Sequence, residues 1–90
     1  MKYNQSTLTR IERILGDVEY VIRYERGNFQ SGYCVLENKK VVVLNKFLPL
    51  DGRINALIDI IASLDINQDY LSPESKKMYA EILAKYEESQ

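Results

Sequence analysis

Apolar residues recur at helical spacing near the start of the chain. The positions three and four residues apart are Leu8, Ile11, Ile14 and Leu15. Residues at this spacing share one face of a helix, so the pattern predicts an amphipathic helix that packs on a core. Ser6 is placed to cap the first backbone amides and Gly16 to end the helix. We therefore predict a first helix over residues 6–16.

The apolar period changes to two from Val18 onward. One face of the following segment carries Val18, Tyr20, Ile22 and Tyr24, whereas the other face is mostly charged. Strict alternation is typical of a strand that is buried on one side only. The segment 18–25 is therefore predicted to be the first strand of a sheet.

Two further strands are predicted after a glycine-containing connection over residues 26–32. Residues 33–36 resume the sheet, and Asn38 and Lys39 provide a tight reversal into a third strand over residues 40–46. We predict a three-stranded antiparallel meander. Both faces of the second and third strands are apolar, so we expect cover on both sides of the sheet, by helices or by a second subunit.

Two helices are predicted to complete the fold. Apolar residues at spacings of three and four over residues 50–64 leave few polar positions, which predicts a central helix packed on the sheet. Ser72 and Pro73 suit the cap and the first residue of a third helix. The prediction is a single α+β domain over residues 1–90, with three helices on a three-stranded antiparallel meander in the order α-β-β-β-α-α.

Length and charge limit the classes of partner. Ninety residues are enough for one domain with a modest stability margin. Twelve basic and thirteen acidic residues give a net charge of −1, so binding to nucleic acid would need a local basic patch and is not expected. The first residues lack a hydrophobic signal core, and no apolar run approaches the roughly 20 residues that span a bilayer. Secretion and membrane insertion are therefore not expected.

The side-chain inventory argues against most familiar active sites. The chain has no histidine and one cysteine, Cys34, which lies in an apolar strand-like run. A thiol there is predicted to be a small buried core residue in a reducing compartment, and we expect a cytoplasmic protein. The acidic residues do not converge on a pattern for acid–base catalysis or metal binding. No catalytic residue, metal ligand or cofactor is predicted.

A loop with two glycines offers a binding site of another class. Gly27 and Gly32 stand five residues apart, as in loops whose bare amides approach a phosphate closely. Tyr33 occupies the position where a phosphate-binding P-loop needs lysine, and the loop joins two strands. A plain hairpin connection is the alternative. If the loop does bind a small anion or a nucleotide, the helping cations would be Arg23, Arg26 or Lys46.

Part of the chain resembles a known family. The matching segments cover about half of the chain and are Tyr24-Glu25-Arg26-Gly27-Asn28-Phe29, Gly32-Tyr33-Cys34, residues 41–46 and Leu48-Pro49-Leu50. They resemble a family of short uncharacterised bacterial proteins. That family has no established activity, so the resemblance implies a bacterial, cytoplasmic protein of one domain and carries no chemistry.

The sequence favours an interaction role over catalysis. We expect a non-enzymatic module that self-associates, as a homodimer, because a small sheet with two apolar faces needs more cover than three short helices supply. Exposed sheet edges offer a second route to pairing. An aromatic at a turn tip is poorly placed to reach a core, so the residues expected to contact a partner are Arg26, Asn28, Phe29 and Gln30. A small anion or nucleotide site at residues 27–32 is the second hypothesis, and an enzyme acting alone is the third.

Overall fold

The computed structural model describes residues 1–27 and 32–88. Its main elements are helix α1 (Gln5–Asp17), strands β1 (Val21–Glu25), β2 (Tyr33–Leu36) and β3 (Val41–Asn45), and helices α2 (Leu50–Ser63) and α3 (Pro73–Glu88). Single-turn 3-10 helices follow β2 and precede α3. Three helices and three strands, in the predicted order along the chain, confirm the α+β class.

The predicted antiparallel meander is wrong. The strands lie in the order β1-β3-β2, with β1 parallel to β3 and β2 antiparallel to it. β3 takes the centre because its residues Val42, Val43 and Leu44 are all buried, and a central strand has neighbours on both edges. The seven residues that connect β1 to β2 are long enough to pass over one intervening strand, a lateral distance of about 10 Å.

Helix α1 begins and ends at other residues than predicted. Asn4 is the N-cap, and its side chain accepts a hydrogen bond from the Thr7 amide at 2.9 Å. The helix continues through Gly16. It ends where Glu19 adopts a left-handed conformation (φ 68°) and the Tyr20 amide donates to the Leu15 carbonyl at 2.8 Å. This closure satisfies the last carbonyls without a glycine, which is why Gly16 does not end the helix.

The core lies between the helices and one face of the sheet, here called the inner face. That face presents Ile22, Tyr24, Tyr33, Val35, Val42 and Leu44. The three helices pack against one another and contribute the rest of the core. α2 is buried except for a narrow exposed stripe, which consists of Asp51, Asn55, Asp59 and Ser63. A helix that is apolar around most of its surface belongs at the centre of the molecule, as predicted.

The opposite face of the sheet, here called the outer face, carries apolar residues outside the cluster that the helices form with the inner face. Its apolar positions are Val21, Cys34, Leu36, Val41 and Val43; Val43 is buried, whereas the other four stay partly or largely exposed. The expected cover on both faces is therefore not supplied by helices among the described residues. Cys34 is partly exposed on this face, so the prediction of a buried core thiol is wrong.

A carboxylate joins the end of α1 to the start of α3. Asp17 accepts a hydrogen bond from the Ser72 amide at 3.1 Å, and the Ser72 hydroxyl caps α3 by accepting from the Ser75 amide at 3.2 Å, as predicted. The pKa of Asp17 is lowered, first by the buried Ser75 hydroxyl and then by the Ser72 amide, against the effect of desolvation.

The two faces of the sheet should respond differently to the same truncation. Leu44→Ala on the inner face should lower the free energy of unfolding by about 2–5 kcal/mol, because Leu44 is fully buried and the cavity cannot fill. Leu36→Ala on the outer face is the matched control and should cost less than about 1 kcal/mol, because Leu36 is 42% exposed. Urea denaturation measures both values. Equal losses would contradict the assignment of the faces.

The Asp17 carboxylate should make stability depend on acid pH. Because its folded-state pKa is lowered, its contribution is present above the unfolded pKa and is lost as the pH falls through the folded pKa. Asp17→Asn should therefore be less stable than the wild type above about pH 5, by less than about 1 kcal/mol since the group is partly exposed. The difference should shrink below about pH 4. Urea denaturation from pH 3 to 7 measures it, and a constant difference would contradict this account.

Candidate functional site

The parallel pairing of β1 and β3 brings their carboxyl ends to one edge of the sheet. Glu25 pairs with Asn45 as the last residues of the two strands, so Arg26 and Lys46 follow side by side. The Lys46 amide donates to the Glu25 carbonyl at 3.0 Å, which continues the pairing beyond the strands. We call this region, consisting of Arg26, Gly27, Asn45, Lys46 and Phe47, the carboxyl edge.

Asn45 organises the backbone of the carboxyl edge. Its side-chain amide donates to the Gly27 carbonyl at 3.3 Å, and its side-chain oxygen accepts from the Phe47 amide at 3.0 Å. Its backbone amide donates to the Gly32 carbonyl at 2.8 Å. Gly32 has φ +83°, and the Leu48 side chain occupies the space next to its Cα. A side chain at Gly32 would be strained and would press on Leu48, so glycine is needed there. One asparagine thus fixes the chain on both sides of the edge.

Phe47 is a large exposed aromatic with two cations beside its ring. Its side chain is 66% exposed. The guanidinium carbon of Arg26 lies 5.6 Å from the ring centroid, and the Lys46 ammonium lies 5.3 Å from it. Both distances are within the range of a cation–π interaction. An open depression of about 650 Å³ lies here, lined by Arg26, Gly27, Asn45 and Phe47. The edge is therefore positively charged and aromatic at once.

Arg53, in the first turns of α2, supports the carboxyl edge from below. Its Nε donates to the Leu48 carbonyl and its Nη2 to the Lys46 carbonyl, both at 3.0 Å. The guanidinium also stacks over the Tyr24 ring at 4.7 Å from the centroid. Since the guanidinium fixes two carbonyls of the segment that carries Phe47, the edge is attached to the core of the protein.

A tyrosine–glutamate hydrogen bond completes this support. The Tyr24 hydroxyl donates to the Glu12 carboxylate, which joins β1 to α1. Burial raises the pKa of Tyr24, and the hydrogen bond with Glu12 raises it further. A tyrosine that holds its proton this tightly is a hydrogen-bond donor at neutral pH and is poorly suited to act as a base. We interpret the Glu12–Tyr24–Arg53 group as a structural tie.

The structure brings together some of the residues that the sequence singled out. Arg26 lies at the carboxyl edge and is exposed. The other expected partner contacts, Asn28, Phe29 and Gln30, lie outside the described residues. Of the three cations suggested for an anion site, Arg26 and Lys46 meet at Phe47, whereas Arg23 forms an ion pair with Glu25.

Sequence reasoning missed Phe47 as a candidate, together with the residues Asn45 and Arg53 that position it. The available signal was the sequence Asn45-Lys46-Phe47 at the end of the most apolar strand, which puts a polar residue, a cation and an aromatic in succession. The predicted meander gave no reason to connect this segment with Arg26. In a meander the first and third strands are not neighbours, so Arg26 and Lys46 would not be adjacent.

Among residues 1–27 and 32–88, no group of three or more histidine, cysteine or acidic residues is arranged to hold a metal ion. No described helix is both long and apolar enough to cross a membrane.

Comparisons with protein-family models, with curated proteins and with solved structures find no match for this chain. Function must therefore be argued from the two surfaces described above, the outer face and the carboxyl edge.

The tie beneath the carboxyl edge should stabilise the fold at neutral pH. Tyr24→Phe should lower the free energy of unfolding by about 1–2 kcal/mol, because it removes the hydrogen bond from a partly buried carboxylate. Tyr70→Phe is the matched control, because Tyr70 is 69% exposed; its cost should be below about 0.5 kcal/mol.

This stabilisation should also depend on alkaline pH. The folded-state pKa of Tyr24 is raised, so its contribution is complete below the unfolded pKa of about 10 and is lost as the pH rises further. Urea denaturation of both variants and the wild type from pH 7 to 11 measures it. A loss from Tyr24→Phe that matches the control would contradict the structural tie.

Proposed function

We propose that the protein is a non-enzymatic interaction module that self-associates as a homodimer through its outer face. The observation that carries the proposal is the exposure of apolar side chains on a sheet face. Val21 is 57% exposed and Leu36 is 42% exposed, with Val41 between them on the neighbouring strand. A contiguous apolar patch on a sheet is typical of a surface that another protein covers.

The charges on the outer face favour a second copy of the chain as the partner. Arg23 and Glu25 lie on this face and form an ion pair with each other, so both signs of charge are present. A twofold interface places the same surface on both subunits, and a surface with both signs can complement itself. A nucleic acid or an anionic membrane would instead favour a face of one sign.

The size of the face bears on the strength of association. Three strands spaced about 4.8 Å apart and about five residues long present roughly 200 Å² of flat area. A stable interface usually buries about 800 Å² on each partner. The outer face is therefore the centre of a larger contact, which would include neighbouring residues and the free edges of β1 and β2. We expect a weak dimer that depends on protein concentration.

The remaining expectations form part of the same proposal. A cytoplasmic setting is supported by the unpaired thiol of Cys34, which is partly exposed and would stay reduced there. The bacterial setting rests on the sequence resemblance. Asn28, Phe29 and Gln30 stay predicted partner contacts beside Arg26.

Self-association should be visible as a change of solution mass with concentration. Light scattering should give the 10.5 kDa monomer at low concentration and approach twice that mass at high concentration. Leu36→Glu should keep the protein monomeric, because it places an unpaired charge within the apolar contact. Tyr70→Glu is the control, because Tyr70 is 69% exposed and does not lie on the outer face, and it should leave association unchanged.

Two results would refute the dimer. The first is a wild-type protein that stays monomeric up to about millimolar concentration, where a contact of about −4 kcal/mol would already be half formed. The second is an equal loss of association in Leu36→Glu and Tyr70→Glu. Circular dichroism of each variant shows whether the fold is intact, and Val21→Glu tests the same face from the opposite edge strand.

A further inference from the structure

We propose that the carboxyl edge binds a nucleoside phosphate, with the phosphate held by Arg26 and Lys46 and the base packed against Phe47. This inference concerns a different surface from the outer face and does not depend on self-association. The sequence suggested an anion or nucleotide site at the glycine loop over residues 27–32. The proposal here instead assigns the site to the side chains of Arg26, Lys46 and Phe47.

Phe47 offers an exposed aromatic surface on a well-held part of the chain. Phe47 is 66% exposed and contributes nothing to the core, although Leu48 and Leu50 beside it do pack on the core. The backbone here is nevertheless held in place, because the Phe47 amide is bonded to the Asn45 side chain and the adjacent Lys46 carbonyl is bonded to Arg53. An exposed aromatic ring on an anchored backbone is ready to stack with a planar ligand, and little backbone freedom is lost on binding.

Two cations lie beside the Phe47 ring without an acidic partner in the part of the chain that the structure describes. Arg26 and Lys46 both approach Phe47, within 5.6 and 5.3 Å of the centroid. Neither forms an ion pair with an acidic side chain among residues 1–27 and 32–88. The attraction of each cation to the ring offsets part of the repulsion between the two charges. An anion between them would remove that repulsion, and Arg26 offers several donors to a phosphate.

The parallel pairing of β1 and β3 brings the two cations together. Arg26 and Lys46 follow the carboxyl ends of two adjacent parallel strands, so the sheet itself places the two cations side by side at one rim. Gly27 lines the same depression without a side chain, so a ligand has close access to the backbone.

The extent of the site favours a nucleotide over a nucleic-acid strand. Binding a single strand needs successive aromatic platforms along a basic groove. Tyr70 is the other strongly exposed aromatic among the described residues, and it lines a depression with Val18 and Lys40, which precede β1 and β3 at the opposite edge of the sheet. One aromatic ring and two cations therefore match one base and its phosphates, and do not extend to a second nucleotide.

Isothermal titration calorimetry with four probes tests the site. The probes are adenosine diphosphate, inorganic pyrophosphate, adenosine and an oligothymidylate of about ten nucleotides, each added to the full chain at low salt with EDTA. We expect saturable binding of adenosine diphosphate, weaker binding of pyrophosphate and the weakest binding of adenosine. The oligonucleotide should bind no more tightly than the diphosphate.

Three variants assign the roles of the side chains. Phe47→Leu should weaken adenosine diphosphate binding about tenfold and leave pyrophosphate binding within about twofold, because it removes only the stacking surface. Arg26→Gln and Lys46→Gln should weaken binding of both probes. Matched controls are Tyr70→Leu, at the equally exposed aromatic, and Lys77→Gln, at an exposed lysine of α3; neither should change binding. All five positions are exposed, so none of these variants should unfold the protein.

Four results would overturn the proposal. Absence of saturable nucleotide binding at millimolar concentration would refute the site, and equal affinity for pyrophosphate and adenosine diphosphate would refute the role of Phe47. Loss of binding in Tyr70→Leu equal to that in Phe47→Leu would place the ligand elsewhere. Tight binding of the oligonucleotide alone would identify a nucleic-acid strand as the ligand in place of a nucleotide.

Discussion

The central position of β3 is the constraint on which the rest of the structure depends. Val42, Val43 and Leu44 are buried in succession, so this strand must be flanked on both edges and covered on at least one face. β1 pairs with one edge of β3 in parallel orientation, and β2 pairs with the other edge in antiparallel orientation. The parallel pair in turn places two strand ends together, which creates the carboxyl edge.

The helices pack on one side of this sheet, which makes its two faces unequal. Val42 and Leu44 point into the core with α2, whereas Val41 points away from it among residues that stay partly or largely exposed. Val43 is buried although it faces outward, because Arg23 and Cys34 flank it on the neighbouring strands. One apolar strand therefore supplies both the strongest part of the core and the centre of the surface through which we propose dimerisation.

Local patterns in the sequence predicted the elements well and their arrangement poorly. The strand over residues 33–36, the central helix and the Ser72 cap follow from short-range periodicity and capping chemistry, which depend on neighbouring residues. The pairing of β1 with β3 depends on residues about twenty positions apart. A connection of seven residues allows β2 either to pair with β1 or to pass over one strand, and spacing alone does not distinguish the two.

The same limit explains the outcome for the candidate site. Arg26 and Lys46 were separately recognisable as cations near strand ends, but their meeting at Phe47 requires the parallel pairing. The prediction that Cys34 is a buried core residue was wrong for a similar reason. In a continuous apolar run, the sequence does not show which alternate residues face the helices. Tyr24 was correctly placed on the inner face, whereas its tie to Glu12 and Arg53 joins three elements and has no signature in the sequence.

The geometry of the sheet also separates the two proposed surfaces. Val21 and Leu36 lie level with Val41 at the start of β3, whereas Phe47 lies beyond Asn45, the last residue of β3, which is itself about 13 Å further along the strand at 3.3 Å per residue. The outer face is a surface of the sheet and the carboxyl edge is its rim, so a contact centred on Val21, Val41 and Leu36 has its centre away from Phe47. The Arg23–Glu25 ion pair lies between them and belongs to the face. A charge introduced at Leu36 therefore acts on the contact between subunits without acting on the cations beside Phe47, because more than a Debye length of about 8 Å separates the two places at physiological salt.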